Sequence, residues 1–190
     1  MIKARTIILV APSGTGKTTI AQRLFQDFPQ LKFSVSATTR SPREGEREGV
    51  DYFFLPPSEF QSKIEEGDFV EWEEFYGGSR YGTLASELVK NTEKGYFTLL
   101  DVEVKGAGRL KQMFGQQCLA LFLRPPSLEI LEERLRKRNT DSEESLKLRL
   151  DRAEEELSYA DHFDQTIVND TLEVAYQEVK EAVQTFMNTF

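Results

Sequence analysis

The sequence predicts an α/β fold, a parallel sheet flanked by helices, and three observations carry that reading. Short apolar runs such as Thr6-Ile7-Ile8-Leu9-Val10 have the character of strands buried on both faces. They alternate with segments whose apolar residues recur at helical spacing, as Ile20, Ala21, Leu24 and Phe25 do. The chain's 190 residues suffice for one domain with a substantial core. Such alternation implies ligands at the carboxyl ends of the strands.

The first strand runs into Ala11-Pro12-Ser13-Gly14-Thr15-Gly16-Lys17-Thr18, and a helix begins near Lys17. Gly14 and Gly16 permit backbone conformations that a Cβ penalises, so several N–H groups can converge on one anion. The helix start adds unpaired donors and a positive dipole end. Strand, glycine-rich turn, Gly-Lys-Thr and helix, in that order, form the context of a phosphate-binding P-loop. In that context Lys17 reaches the β- and γ-phosphates and the Thr18 hydroxyl ligates Mg²⁺. The candidate ATP-binding residues here are Pro12, Ser13, Gly14, Thr15, Gly16, Lys17, Thr18 and Thr19. Ala11 stands where the pattern usually has its first glycine, which predicts a slight geometric cost. The loop by itself specifies a nucleoside triphosphate and nothing finer.

Further along, Phe33 to Ser36 reads as a strand and 37–50 as a polar, arginine-rich loop. Asp51 to Phe54 reads as a short strand. Ser58 and Gln61 form a capping box that opens a helix ending at Gly67. Phe69 to Tyr76 alternates as a strand does, and Gly77-Gly78 is a turn. Leu84 to Asn91 is helical; Tyr96 to Val102 is a buried strand, with Asp101 near its end. No element is predicted between Val102 and Leu119. Leu119 to Leu123 is a strand, and Ser127 caps a helix over Leu128 to Arg138. Thr140 to Glu143 is a second capping box, opening a charged helix to about Tyr159. Thr166 to Asn169 is a strand and Leu172 to Phe186 a closing helix. Two stretches, Ser36 to Trp72 and the charged helices around 134–152, break the alternation and read as excursions above the sheet.

Acidic residues number 32 against 24 basic ones, a net charge of −8, which opposes nucleic-acid binding through the surface at large. Positive charge for a polyanionic ligand must then be local. Cys118 is the one cysteine, so neither an internal disulfide nor a thiolate metal cluster is available; its apolar neighbours predict a buried thiol. His162, the one histidine, is expected to be structural or superficial. No apolar run approaches a membrane span, and the first strand follows Met1 to Arg5 without a signal-like segment. The expectation is a cytoplasmic protein without membrane or nucleic-acid partners.

The first excursion carries Arg40 and Arg43 three apart, with Tyr52 and Tyr81 able to converge on them. Guanidinium forks and phenol hydroxyls suit a monophosphate. Taken singly, an arginine-rich loop reads equally well as a solvated one. In order and spacing, however, the whole set resembles the guanylate kinase family from about Ile7 to the last helix. The matching residues are Pro12-Ser13-Gly14 through Thr18, Ser34-Val35-Ser36, Thr38-Thr39-Arg40, Pro42-Arg43, Gly45-Glu46, Asp51-Tyr52, Phe69-Val70-Glu71-Trp72, Tyr81-Gly82 and Ile167-Val168-Asn169-Asp170.

That resemblance implies a P-loop kinase core with a nucleoside-monophosphate-binding insert and a helical lid. The core is expected over about 1–34, 87–128 and 159–190, the GMP-binding insert over about 35–86 and the lid over about 129–158. Ser36, Glu71, Thr83 and Glu103 fall where the family reads guanine; Arg40, Arg43, Tyr52 and Tyr81 fall where it holds the GMP phosphate; Glu46 falls where it orients an arginine. An ionised carboxylate such as Glu71 accepts from both N1–H and the exocyclic amine of guanine, and adenine has no donor at N1. Glu71 on its own reads as a solvated strand residue among other acids. Glu103 replaces a common Asp and Lys105 a common Gln, so Glu71 is the firmer of the two base-reading acids. Asp101 is placed to hold Mg²⁺ through water. Arg134, Arg138 and Arg149 match lid positions that close on the triphosphate; Arg136, Lys137 and Arg152 read as a solvated basic face.

The expected reaction is Mg²⁺-dependent transfer from ATP to GMP, and to dGMP, by a monomer or small homo-oligomer, with Lys17, Arg43, Arg138 and Arg149 supplying positive charge. Two rivals are a P-loop kinase of a phosphorylated sugar such as ribose 1,5-bisphosphate and a non-catalytic, phosphopeptide-binding relative.

Overall fold

The computed structural model describes residues 4–74, 77–137 and 142–190. Its centre is β1 (Thr6–Val10), buried at every position and followed by α1 (Lys17–Asp27). Around it a five-stranded, wholly parallel sheet is built with β2 (Leu31–Phe33), β7 (Phe97–Leu100), β8 (Cys118–Arg124) and β9 (Gln165–Val168), in the order β2-β7-β1-β8-β9. Successive β1 side chains point to opposite faces. Ile7 and Leu9 therefore enter a cluster with Leu24 of α1 and Val179 of α7 (Leu172–Met187). Ile8 and Val10 enter another with Leu88 of α3 (Ala85–Glu93) and Leu110 of α4 (Val104–Phe114). Apolar character on both strand faces is what a sheet covered by helices on each side demands.

The first excursion is a second sheet. β4 (Phe53–Phe54), β3 (Ala37–Thr38), β6 (Arg80–Leu84) and β5 (Phe69–Glu74) lie in that order, and α2 (Pro57–Glu66) packs Phe60 against Phe69 in a stacked pair. The second is the helix pair α5 (Leu128–Lys137) and α6 (Glu143–Leu157), joined by a cluster of Leu131, Leu135, Leu146 and Ala153.

Several expectations change. The second strand ends at Phe33, because after Ser34 N–H donates to Leu99 O the chain turns into the second sheet. Residues 37 and 38, expected in a loop, form β3. Pro56, not Ser58, precedes α2, and no side chain caps that helix; Gly67, at φ 75°, ends it as expected. Helix α4 fills the interval left without an element, its Val104, Ala107, Leu110 and Phe114 buried. Gly106 and Gly108 within it lower helix propensity and obscure the pattern. Ser142 caps α6 by accepting from Ser145 N–H; Thr140 and Asp141 of the expected capping box, and Arg138, lie outside the described residues. Cys118 is buried as expected, and burial pushes its thiol up to about 11. Among the described residues no helix is long and apolar enough to cross a membrane.

Candidate active site

The P-loop leaves the carboxyl end of β1 at the centre of the parallel sheet. Gly14 has φ 92° and Gly16 φ 104°, left-handed conformations that L side chains rarely adopt. Space is short as well as torsion: a Cβ on Gly16 would lie 2.7 Å from Asn169 Nδ2, and one on Gly14 would lie 2.8 Å from Leu135 Cδ2. Asn169 follows β9 and donates from Nδ2 to Thr15 O at 2.6 Å, tying the loop to the far edge of the sheet. A cavity of about 410 Å³ lies over the loop, lined by Pro12, Ser13, Gly14, Gly16, Lys17, Thr18 and Thr19 and, from α6, by Arg149 and Arg152. Arg149 Nη1 donates to Ser13 Oγ at 3.3 Å. Lys17 Nζ is ion-paired with Asp101, which directly follows β7.

A second cavity, of about 490 Å³, lies between the two sheets; its wall includes Ser36, Arg40, Arg43, Tyr52, Glu71 and Tyr81. Arg40 is held on several sides. Its two Nη groups donate to the Glu46 carboxylate at 3.0 and 2.9 Å, its Nε donates to Tyr81 Oη at 3.1 Å, and the Tyr52 ring lies 5.5 Å from its guanidinium carbon. Arg40 in turn holds the Glu46 carboxyl below its usual range. The sequence reading that Glu46 orients an arginine thus finds its counterpart in Arg40. Arg43 donates its backbone N–H to Glu46 at 2.7 Å, while among the described residues its guanidinium makes no hydrogen bond or ion pair. Tyr52 is half-buried, and that burial raises its phenol.

Glu71 stands opposite Thr83 in the β5–β6 ladder, and buried Thr83 donates from Oγ1 to Glu71 Oε1 at 2.8 Å. Burial nevertheless pushes the Glu71 carboxyl above the usual carboxylate range. The two cavities share Lys17, Val102 and Glu103 in their walls, so a group on the loop and one in the second cavity would meet there.

The remaining residues fall in less expected places. Arg134 does not line the loop cavity; it donates to Asn169 O and Asp170 O at 2.8 and 3.1 Å. Arg152, read as part of a solvated face, is exposed and pairs with Glu156 and Glu103, and it also lines the loop cavity. Its position on α6 three residues after Arg149, and so on the same helix face, was the available signal. Arg136 pairs with Glu132 and Glu143, consistent with a solvated face.

A P-loop under the carboxyl ends of a parallel sheet, with a second cavity opening beside its lysine, defines an α/β P-loop kinase fold. The guanylate kinase family model matches residues 3–186, and the chain belongs to that family. It is 50% identical over 185 residues to the guanylate kinase of Chlorobium luteolum, covering 97% of this chain and 93% of the relative. It is 48% identical over 183 residues to that of Salinibacter ruber, covering 96% and 97%. Its fold is similar to the crystal structure of guanylate kinase from Anaplasma phagocytophilum, with a TM-score of 0.74, 30% identity and coverage of 97% of this chain and 87% of that one. These relatives do not favour the sugar-kinase or binding-module readings.

Proposed function

We propose that this chain transfers the γ-phosphoryl group of ATP to the phosphate of GMP, giving ADP and GDP. The observation that carries the reading is the half-buried Glu71 carboxylate on the wall of a cavity that adjoins Lys17. Guanine presents two donors on one edge, and a fixed carboxylate accepts both. A site with this acceptor leaves adenine unpaired against a buried charge, which is costly. In this reading residues 35–86 form the GMP insert, 129–158 the lid, and the remainder the core.

A phosphate is already an anion, so no Ser, Cys or His nucleophile is needed. Catalysis rests on alignment and on positive charge around the transferring group. Arg40, preset by Glu46 and Tyr81, and Arg43 would hold the GMP phosphate. Lys17, from the shared wall, would neutralise the transferring oxygens, and Arg149 would do so from the lid; Arg138 is assigned the same role, though it lies outside the described residues. Thr18 and Asp101 offer a hydroxyl and a carboxylate beside Lys17, hard oxygen donors that suit Mg²⁺, an ion that takes its other ligands from water and phosphates. Held there, Mg²⁺ would supply charge neutralisation at the β- and γ-oxygens.

Coupled ADP release with ATP and Mg²⁺, offering GMP, dGMP, AMP, UMP, CMP and ribose 1,5-bisphosphate in parallel, tests the proposal. Turnover confined to GMP and dGMP is expected. Turnover with the sugar bisphosphate alone, or none from folded protein, would overturn it.

A further inference from the structure

Gly106 lies buried in the first turn of α4, and nothing in its backbone demands glycine, since its φ is not in the left-handed region. Glycine weakens a helix relative to alanine. The reason for its presence is on the neighbouring strand. A Cβ built at 106 would lie 2.9 Å from Glu71 Oε2 and 3.6 Å from Glu71 Cδ. Gly108, two residues on in the same helix, has nothing within 4 Å of its own Cβ position.

The Glu71 carboxylate is therefore held between two neighbours. Thr83 Oγ1 donates to Oε1 at 2.8 Å, and Oε2 rests where a side chain at 106 would stand. The carboxylate is the far end of a flexible side chain, whereas α4 is anchored by Val104, Ala107 and Leu110 in the core. A methyl group at 106 would accordingly displace the carboxylate and leave the helix where it is. We infer that Gly106 is a specificity-determining positioning residue, its missing side chain setting where the Glu71 carboxylate sits and hence how the insert reads guanine. This rests on the proposed GMP reading. Acceptance from two adjacent donors needs both carboxylate oxygens in place, and a displacement of about an ångström is enough to lose it.

The test is Gly106→Ala beside Gly108→Ala, with steady-state kinetics for GMP, AMP and ATP and thermal unfolding of each. Gly106→Ala should fold with a Tm at or above that of the unsubstituted protein, raise the GMP KM about tenfold or more, and leave the ATP KM within about twofold. Gly108→Ala should leave all KM values unchanged. In a Glu71→Ala background, Gly106→Ala should add no further loss, since the partner it displaces is gone. Carbon-13 titration of the Glu71 carboxyl should shift between the unsubstituted protein and Gly106→Ala, a readout that needs no substrate. An unchanged GMP KM, an additive loss without Glu71, an unchanged titration, or failure of Gly106→Ala to fold while Gly108→Ala folds would each overturn the inference. Lack of GMP turnover by the unsubstituted protein would overturn the GMP reading instead, and the titration would still decide whether Gly106 sets the carboxylate.

Discussion

Arg152 Nη2 donates to Glu103 Oε2 at 2.6 Å, joining helix α6 to the residue that precedes α4. The carboxylate at 103 is thereby engaged by α6, while that at 71 is held within the second sheet by Thr83. Both side chains of the 103–152 pair are more than a third exposed, so the pair contributes on the order of 0–1 kcal/mol to stability. Glu103→Gln should therefore lower the GMP-over-AMP ratio of kcat/KM by less than about threefold, and Glu71→Gln by about a hundredfold. Equal losses would show that both acids read the base.

The raised Glu71 carboxyl has a pH consequence. Burial lifts it above its ordinary value in the fold, so the folded chain holds this proton more tightly than the unfolded one. The stability that proton contributes is fully present below the unfolded value and is lost as pH rises through the folded one. Glu71→Gln should thus be more stable than the unsubstituted protein at neutral pH, with the difference closing as the solution is acidified below the usual carboxylate range; urea melts from neutral to acid pH check it. GMP binding should have the opposite trend, weakening as pH falls and the carboxylate protonates. A GMP KM that is flat through this range would contradict the assignment.

The ion pair between Lys17 and Asp101 sets side by side two groups to which the proposed reaction gives different tasks. Lys17→Ala should lower kcat about 10³-fold, in line with the removal of a charge aimed at the transition state. Asp101→Asn should instead raise the Mg²⁺ concentration for half-maximal rate about tenfold. Metal titration of both variants separates the roles.

Gly16 is constrained by torsion and by Asn169 together, whereas Gly77 has φ 89° and nothing within 4 Å of a Cβ. Both alanine variants should lose about 1–2 kcal/mol of stability from the left-handed backbone. Only Gly16→Ala should also push Asn169 off Thr15 and weaken ATP binding, which calorimetric titration of ATP into the two variants reads directly.

Much of the core was legible locally. Thr6 to Val10, the glycine-rich turn and Lys17 are contiguous, and their spacing carries the strand, the turn and the helix start without reference to the rest of the chain. Helix α4 was not legible, because two glycines dilute its pattern and one of them, Gly106, answers to a strand more than thirty residues away. Strand β3 was hidden for a related reason: two residues have no periodicity, and Ala37 and Thr38 become a strand only between β4 and β6.

The sequence by itself determined the phosphate loop, the alternating core and the inventory of arginines, tyrosines and acids, since each depends on residue type and short spacing. Tertiary structure alone decided which arginine Glu46 holds, that Arg152 reaches Glu103, and that Gly106 makes room for Glu71. Those are contacts between residues brought together by packing of separate elements, and the free energy of a contact depends on distance and burial that no local pattern encodes.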